Sequence, residues 1–236
     1  MDRWEASNRR VRAELNGVTI ADTLTPVLVW QRRYPTNYAV PLADVPAGLL
    51  RDASQEGDRR WFDAEIAGQT VEHIGWTPLD APELAKHIVL EWGVMDRWLE
   101  EGEEVLGHPR DPYTRCDPIQ STRHVQVRVG ETLVADSTRP VLLFETGLPT
   151  RYYLPADDVR LDLLEPSTHT SFCPYKGWAA YHSVRVEGTV HENIVWHYTD
   201  PFDEVLKIRD LLAFFDEKVE VIVDGVVQPT PVTAWS

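Results

Sequence analysis

The chain repeats itself, and that limits what it can fold into more than any other feature. Residues 11–50 lie over residues 125–164 at a constant offset of 114, with 14 of the 40 positions identical. Unrelated segments of ordinary composition would share about two or three. Ala21-Asp22 meets Ala135-Asp136, Pro26-Val27-Leu28 meets Pro140-Val141-Leu142, and Pro35-Thr36-x-Tyr38 meets Pro149-Thr150-x-Tyr152. The offset then becomes 120, with Gly57 over Gly177, Gly68 over Gly188, Ile74 over Ile194 and Trp76 over Trp196. The second copy therefore carries six extra residues between Leu164 and Gly177. Trp98-Leu99-Glu100-Glu101 lies over Phe214-Phe215-Asp216-Glu217 at offset 116. The expected organisation is two copies of one small domain, about residues 9–115 and 123–230, each near the usual domain size. The turn-rich stretch Pro109-Arg110-Asp111-Pro112-Tyr113 suits the join.

Within each copy the apolar pattern has mostly the strand period. Val125, Val127 and Val129 alternate with polar residues, and Gly130-Glu131 turns the chain. Residues 141–145 and 151–154 read as short strands, and 177–187 and 189–198 as two long ones joined at Gly188. Val219, Val221 and Val223 alternate before an Asp224-Gly225 hairpin signal. Residues 203–215 fit a short helix, and 82–98 fit one better. The fold class is mainly β: two tandem copies of a small antiparallel domain with short helical segments.

The charge balance narrows the partners. Twenty-three Lys and Arg face 38 Asp and Glu, giving −15 at pH 7. So acidic a surface repels phosphate backbones, and no nucleic-acid partner is expected. No apolar run approaches the ~20 residues that span a bilayer, and the first residues carry no apolar stretch like a secretion signal, so no membrane partner and a cytoplasmic location are expected. Oligomeric state is not readable. Two cysteines are too few for a disulfide framework or a four-cysteine zinc site. Eight histidines form no H-E-x-x-H or H-x-H arrangement, so neither metal nor other cofactor is expected. The phosphate-binding and nucleophile-elbow motifs G-x-x-x-x-G-K-[ST], G-x-G-x-x-G and G-x-S-x-G do not occur.

Three stretches carry a family resemblance: Cys173-Pro174-Tyr175-Lys176-Gly177, the upstream run from Arg139 to Pro155, and the terminal run from Phe214 to Gly225. With them the chain resembles the domain of unknown function 427 family in its tandem form. The resemblance implies a β-tent-like fold, with two small antiparallel sheets set at an angle and a pocket between them. Some β-tent relatives hold zinc on four cysteines and others line the pocket with an aromatic cage. The family has also carried a nucleotidyltransferase label, with no established reaction to transfer. For that chemistry a Gly-Ser turn and two metal-binding carboxylates are wanted. Gly-Ser is absent from the sequence, and Asp157-Asp158 reads as the start of a short helical turn.

The Cys-Pro-Tyr-Lys-Gly run is the sharpest chemical feature. Only four lysines stand against nineteen arginines. A Lys between Tyr175 and Gly177, opening an aromatic strand, is a candidate for pairing with a polar or anionic group, or for acting as a base if desolvated. Cys173 is a candidate nucleophile if a cation favours its thiolate, with His169 or His182 as its base. The catalytic candidates are thus Cys173 and Lys176. Competing readings are a small buried thiol and a Tyr-Lys pair that merely covers apolar surface. Tyr175, Gly177, Tyr181, Trp196 and Tyr198, with Tyr152 nearby, are candidates for binding a ring, though small β domains also use aromatics as core. Trp30 and Trp76 repeat the Phe144 and Trp196 positions, which favours core for those two. Glu145 and Arg151 flank a turn, and Gln31 and Asn37 replace them in the first copy; they read as a site pair or one surface salt bridge. With the six-residue gap placed before Gly57, Ala53 opposes Cys173 and Glu56 opposes Lys176, so one working site is expected, in the second copy. The expected function is binding of a small polar or cyclic molecule there. An enzyme, as nucleotidyltransferase or through Cys173, and a structural protein without ligand are the alternatives.

Overall fold

Strands with alternating faces dominate the computed structural model of the protein, in which residues 1–32 and 34–233 are described. The chain divides into two compact units, Met1–Asp111 and Pro112–Ser236. The first contains β1 (Arg3–Ala6), β2 (Val11–Leu15), β3 (Val18–Thr23), β4 (Val27–Trp30), β5 (Asn37–Pro41) and β6 (Leu50–Glu56). It continues with β7 (Arg59–Ile66), β8 (Gln69–Pro78), β9 (His87–Leu90), β10 (Arg97–Glu100) and β11 (Glu103–Glu104). The second contains β12 (Cys116–Gln120), β13 (Val125–Val129), β14 (Thr132–Ser137), β15 (Val141–Glu145), β16 (Arg151–Leu154) and β17 (Leu164–Cys173). It ends with β18 (Gly177–Val186), β19 (Thr189–His197), β20 (Leu212–Phe214), β21 (Glu220–Val223) and β22 (Val226–Val227). The fold is mainly antiparallel β in two similar halves, as the repeat and the strand patterns predict.

The halves share one topology strand for strand. A seven-stranded sheet runs β1-β4-β5-β9-β8-β7-β6 in the first unit and β12-β15-β16-β20-β19-β18-β17 in the second. A four-stranded sheet runs β11-β10-β2-β3 and β14-β13-β21-β22. The opening strand of each large sheet, β1 or β12, lies upstream of the stretch in which the copies align.

In the second unit the two sheets enclose an apolar layer. Val125, Val127 and Val129 from the small sheet meet Leu154, Val184, Val195, Leu212 and Phe214 from the large one. The large sheet is buried on its other face too, by Val141, Leu143, Tyr153, Ala179, Trp196, Tyr198, Val205 and Ile208. Strand alternation serves both layers: Leu154 enters the first and Tyr153 the second. The first unit repeats this with Val11, Ala13, Val40 and Leu90 on one side and Val29, Ala39, Trp76 and Val89 on the other.

Several local expectations change. Residues 82–98 form no α-helix; they hold a 3-10 turn at Pro82–Leu84, the buried strand β9, a second turn at Trp92–Val94 and the start of β10. Residues 203–215 likewise split into a 3-10 turn, Asp203–Ile208, and β20. Both His87-Ile88-Val89-Leu90 and Leu212-Ala213-Phe214 complete the centre of a large sheet, and that pairing outweighs helical spacing. The Asp224-Gly225 hairpin forms as expected, both residues having positive φ (53° and 80°). The strand register also re-aligns the repeat near its end. Trp98 pairs with Ala13 as Val221 pairs with Val127, so Trp98 corresponds to Val221 rather than Phe214. The earlier match joined two apolar-then-acidic stretches that occupy different strands.

Leu154 is fully buried between the sheets of the second unit, and Val226 is exposed at the tip of a hairpin. Leu154→Ala is expected to cost about 2–5 kcal/mol in urea unfolding, and Val226→Ala to stay within about 0.5 kcal/mol.

Candidate functional site

The Cys-Pro-Tyr-Lys-Gly run is the tip of a hairpin. Cys173 pairs with Gly177 and Phe172 with Trp178, so β17 and β18 are joined by Pro174-Tyr175-Lys176. In the first copy Glu56 pairs with Arg59 and the turn is Gly57-Asp58. Ser171 pairs with Ala179 as Glu56 pairs with Arg59, so Glu56 corresponds to Ser171 rather than Lys176. Five of the six extra residues therefore lengthen the hairpin tip, and the sixth lies in the bulge between Pro166 and Thr170. Residues 165–172 are part of strand β17. The tip docks on the segment after β19: Phe202 N–H donates to the Lys176 carbonyl at 3.2 Å. Gly177 has φ 97°, and a Cβ there would lie 3.3 Å from the Asp200 carbonyl oxygen. Only glycine suits that backbone and that approach.

Docking of the tip aims Lys176 across the sheet. Its Nζ lies 2.5 Å from Glu145 Oε2, and Lys176 is only 8% exposed. Glu145 is on β15 and Lys176 precedes β18, which is four strands away in the sheet order. A flat sheet would set those strands about 19 Å apart. The sheet therefore curls, and the ion pair spans its concave face. Burial disfavours the ammonium, but interaction with Cys173 and with Glu145 outweighs it and raises the Lys176 pKa. Lys176 is thus a charged hydrogen-bond donor, and the expectation of a desolvated base does not hold.

Aromatic side chains floor this face. Trp196 donates its indole N–H to Tyr153 Oη at 3.0 Å, with the rings edge to face. Phe215 packs on Trp196 at 4.7 Å between centroids and stacks near Tyr181 at 6.4 Å. Tyr181 Oη lies 2.7 Å from Ser171 Oγ, and its ring lies 4.5 Å from His169. Tyr198 is buried among the same residues, and burial raises its phenol pKa and that of Tyr153. Tyr175 is half-buried in the tip. Cys116, the only other cysteine, packs on the same cluster, and its thiol is pushed up to about 12 by burial and by Glu145.

Arg151 forms a second buried charge centre. Its guanidinium grips Glu217 with both nitrogens, at 2.8 and 2.6 Å, and sits 5.7 Å above Trp196. Asp216 is further off, at 3.5 Å. Burial therefore dominates at Asp216 and pushes its carboxyl up to about 7, although Arg151 pulls the other way. Glu217 is also partly buried, but the fork from Arg151 and the Thr233 hydroxyl bring it down to about 2.

The structure gathers Lys176, Glu145, Cys173, Tyr181, Trp196, Tyr198 and Arg151 on one concave face. It does not gather Tyr152, which points between the sheets because it alternates with Tyr153. Glu145 and Arg151 do not pair with each other; each has its own partner. Phe144 is 43% exposed, not core, since its neighbours Leu143 and Glu145 take the inward positions. His182 faces away from Tyr181 and packs on His197 at 5.1 Å, so it is no base for Cys173. Asp216, Glu217 and Phe215 were not singled out from the sequence. The acidic pair after two phenylalanines was a usable signal for the first two, but it was read only as part of the repeat.

A family model described as a domain of unknown function, DUF427, matches residues 3–101 and 117–225. The chain belongs to the DUF427 family. A search of curated proteins found no match. In this DUF427 chain the two copies keep the sheet and exchange the polar groups on its concave face. Gln31 stands at the Glu145 position, Asn37 at that of Arg151, Ala39 at that of Tyr153 and Glu91 at that of Phe215. The buried ion pairs of the second copy are therefore not demanded by the fold.

Gly177→Ala is expected to destabilise this DUF427 protein by about 1–3 kcal/mol, read by urea unfolding. A protonated Asp216 adds stability at low pH that is lost as pH rises between about 3.9, its unfolded value, and about 7. Wild type is thus expected to lose stability over pH 4–7 relative to Asp216→Asn, and unfolding midpoints for the two proteins across that range check it.

Proposed function

We propose that the second copy of this DUF427 protein binds a small, neutral, polar molecule with a cyclic part at the concave face closed by the Lys176–Glu145 pair. The observation that carries this reading is a buried ion pair built by a hairpin extension that the first copy lacks. Burying two charges costs several kcal/mol that their attraction repays only in part, and apolar residues of similar size do the structural task as well. The pair presents a fixed donor beside a fixed acceptor, and Trp196, Tyr181 and Phe215 give flat apolar surface next to it.

The charge count selects the ligand class. Lys176 and Arg151 face Glu145, Asp216 and Glu217, so the two cations are already matched by carboxylates. An anion gains little there, and a neutral hydrogen-bonding group gains most. The short name of the family model, NTP_transf_9, points instead to nucleotidyl transfer. The one acidic pair singled out for such chemistry is committed elsewhere. Asp158 accepts hydrogen bonds from Ser137 and Arg139, and Asp157 lies 3.6 Å from Arg139.

A thermal-shift screen of neutral cyclic compounds tests the reading. Hits are expected to raise the melting temperature of wild type but not of Tyr181→Ala or of the double variant Lys176→Met/Glu145→Leu, which removes both charges together and avoids a lone buried one. Hits that stabilise both variants as much as wild type, or a screen without hits, would overturn it.

A further inference from the structure

The first copy places a cation on the same face by a different route. Arg59 opens β7 at the position of Ala179, and its Nη2 donates to Gln31 Oε1 at 2.9 Å. Its guanidinium lies 4.1 Å from the Trp76 ring centroid and 5.7 Å from that of Trp61. Trp76 and Trp61 stand where Trp196 and Tyr181 stand in the second copy. The surroundings differ in one decisive respect. In the second copy the cation meets the Glu145 carboxylate, whereas here the same position holds the neutral Gln31. Among the described residues no carboxylate lies within ion-pair distance of Arg59, in a chain with 38 acidic residues. Glu91 is on this face, but it accepts the Trp76 indole N–H at 2.9 Å.

Contact with the Trp76 ring face holds the guanidinium in place and leaves N–H donors to act. Five N–H donors are available on an arginine, and the one bond to Gln31 occupies a single donor. Arg59 and Trp61 are half-buried, so the edge is partly shielded from water and still reachable. A planar donor fork held this way matches two oxygens of a carboxylate or phosphate. We propose that the first copy is an oxyanion site, in which Arg59 holds the carboxylate or phosphate group of a small molecule. This inference stands apart from the ligand reading of the second copy and uses none of its residues. It also departs from the expectation of one working site, in the second copy.

Isothermal titration calorimetry at low ionic strength, with sodium benzoate and sodium phosphate as probes against matched chloride, tests it and separates a carboxylate site from a phosphate site. Saturable binding of at least one probe is expected in wild type. Arg59→Gln should weaken it about tenfold or more. Gln31→Glu, which installs the carboxylate of the second copy, should weaken it similarly with Arg59 intact, so the result does not depend on one variant folding. Val226→Ala, at the exposed hairpin of the second copy, should leave it unchanged. No saturable binding of either probe, or equal binding by wild type, Arg59→Gln and Gln31→Glu, would overturn the proposal.

Discussion

The central strands of each seven-stranded sheet are covered on both faces, and each half of this protein is organised around that constraint. One face packs against the small sheet through mainly aliphatic side chains, with Tyr38, Phe62 and Trp98 in the first unit and Phe214 in the second. The other curls over a second layer in which tryptophan and tyrosine pack among aliphatic side chains. A strand has only two faces, so each central strand must feed both layers by alternation. β16 does this within four residues, sending Arg151 and Tyr153 one way and Tyr152 and Leu154 the other.

The buried ion pairs of the second copy lie on the curled face, and there the halves diverge. The second copy buries two cations and satisfies both with carboxylates remote in sequence, Glu145 on β15 and Glu217 in the turn after β20. The first does without those pairs and sets an arginine against an amide and two indoles. Because both versions rest on the same strand pairing, the polar groups are separable from the scaffold. Buried charge is poor glue, and the first copy keeps the same strands without these pairs.

Much of the scaffold was legible from residues alone. The offset of 114 revealed two copies, and Val125, Val127 and Val129 announced their own strand and face. Asp224-Gly225 marked its turn. The helices expected at 82–98 and 203–215 failed because three or four apolar residues fit helical and strand spacing equally well, and the gap in the sheet decided between them. Lys176, Tyr181 and Trp196, which the structure brings to one face, were expected together. Their partners were not: Glu217 for Arg151 and Cys116 beside Glu145 are remote in sequence and meet only through strand order.

The duplication, the strand-rich class and the chemical oddity of Cys173-Pro174-Tyr175-Lys176-Gly177 can be read along the chain. They depend on local periodicity and on identity between copies, both of which can be counted along one dimension. Three-dimensional packing settles which face each residue joins, that Lys176 reaches Glu145, and that Arg59 takes up a cationic post in the first copy. Those outcomes follow from the curl of the sheet and from strand register, where a shift of one residue moves a side chain to the opposite face.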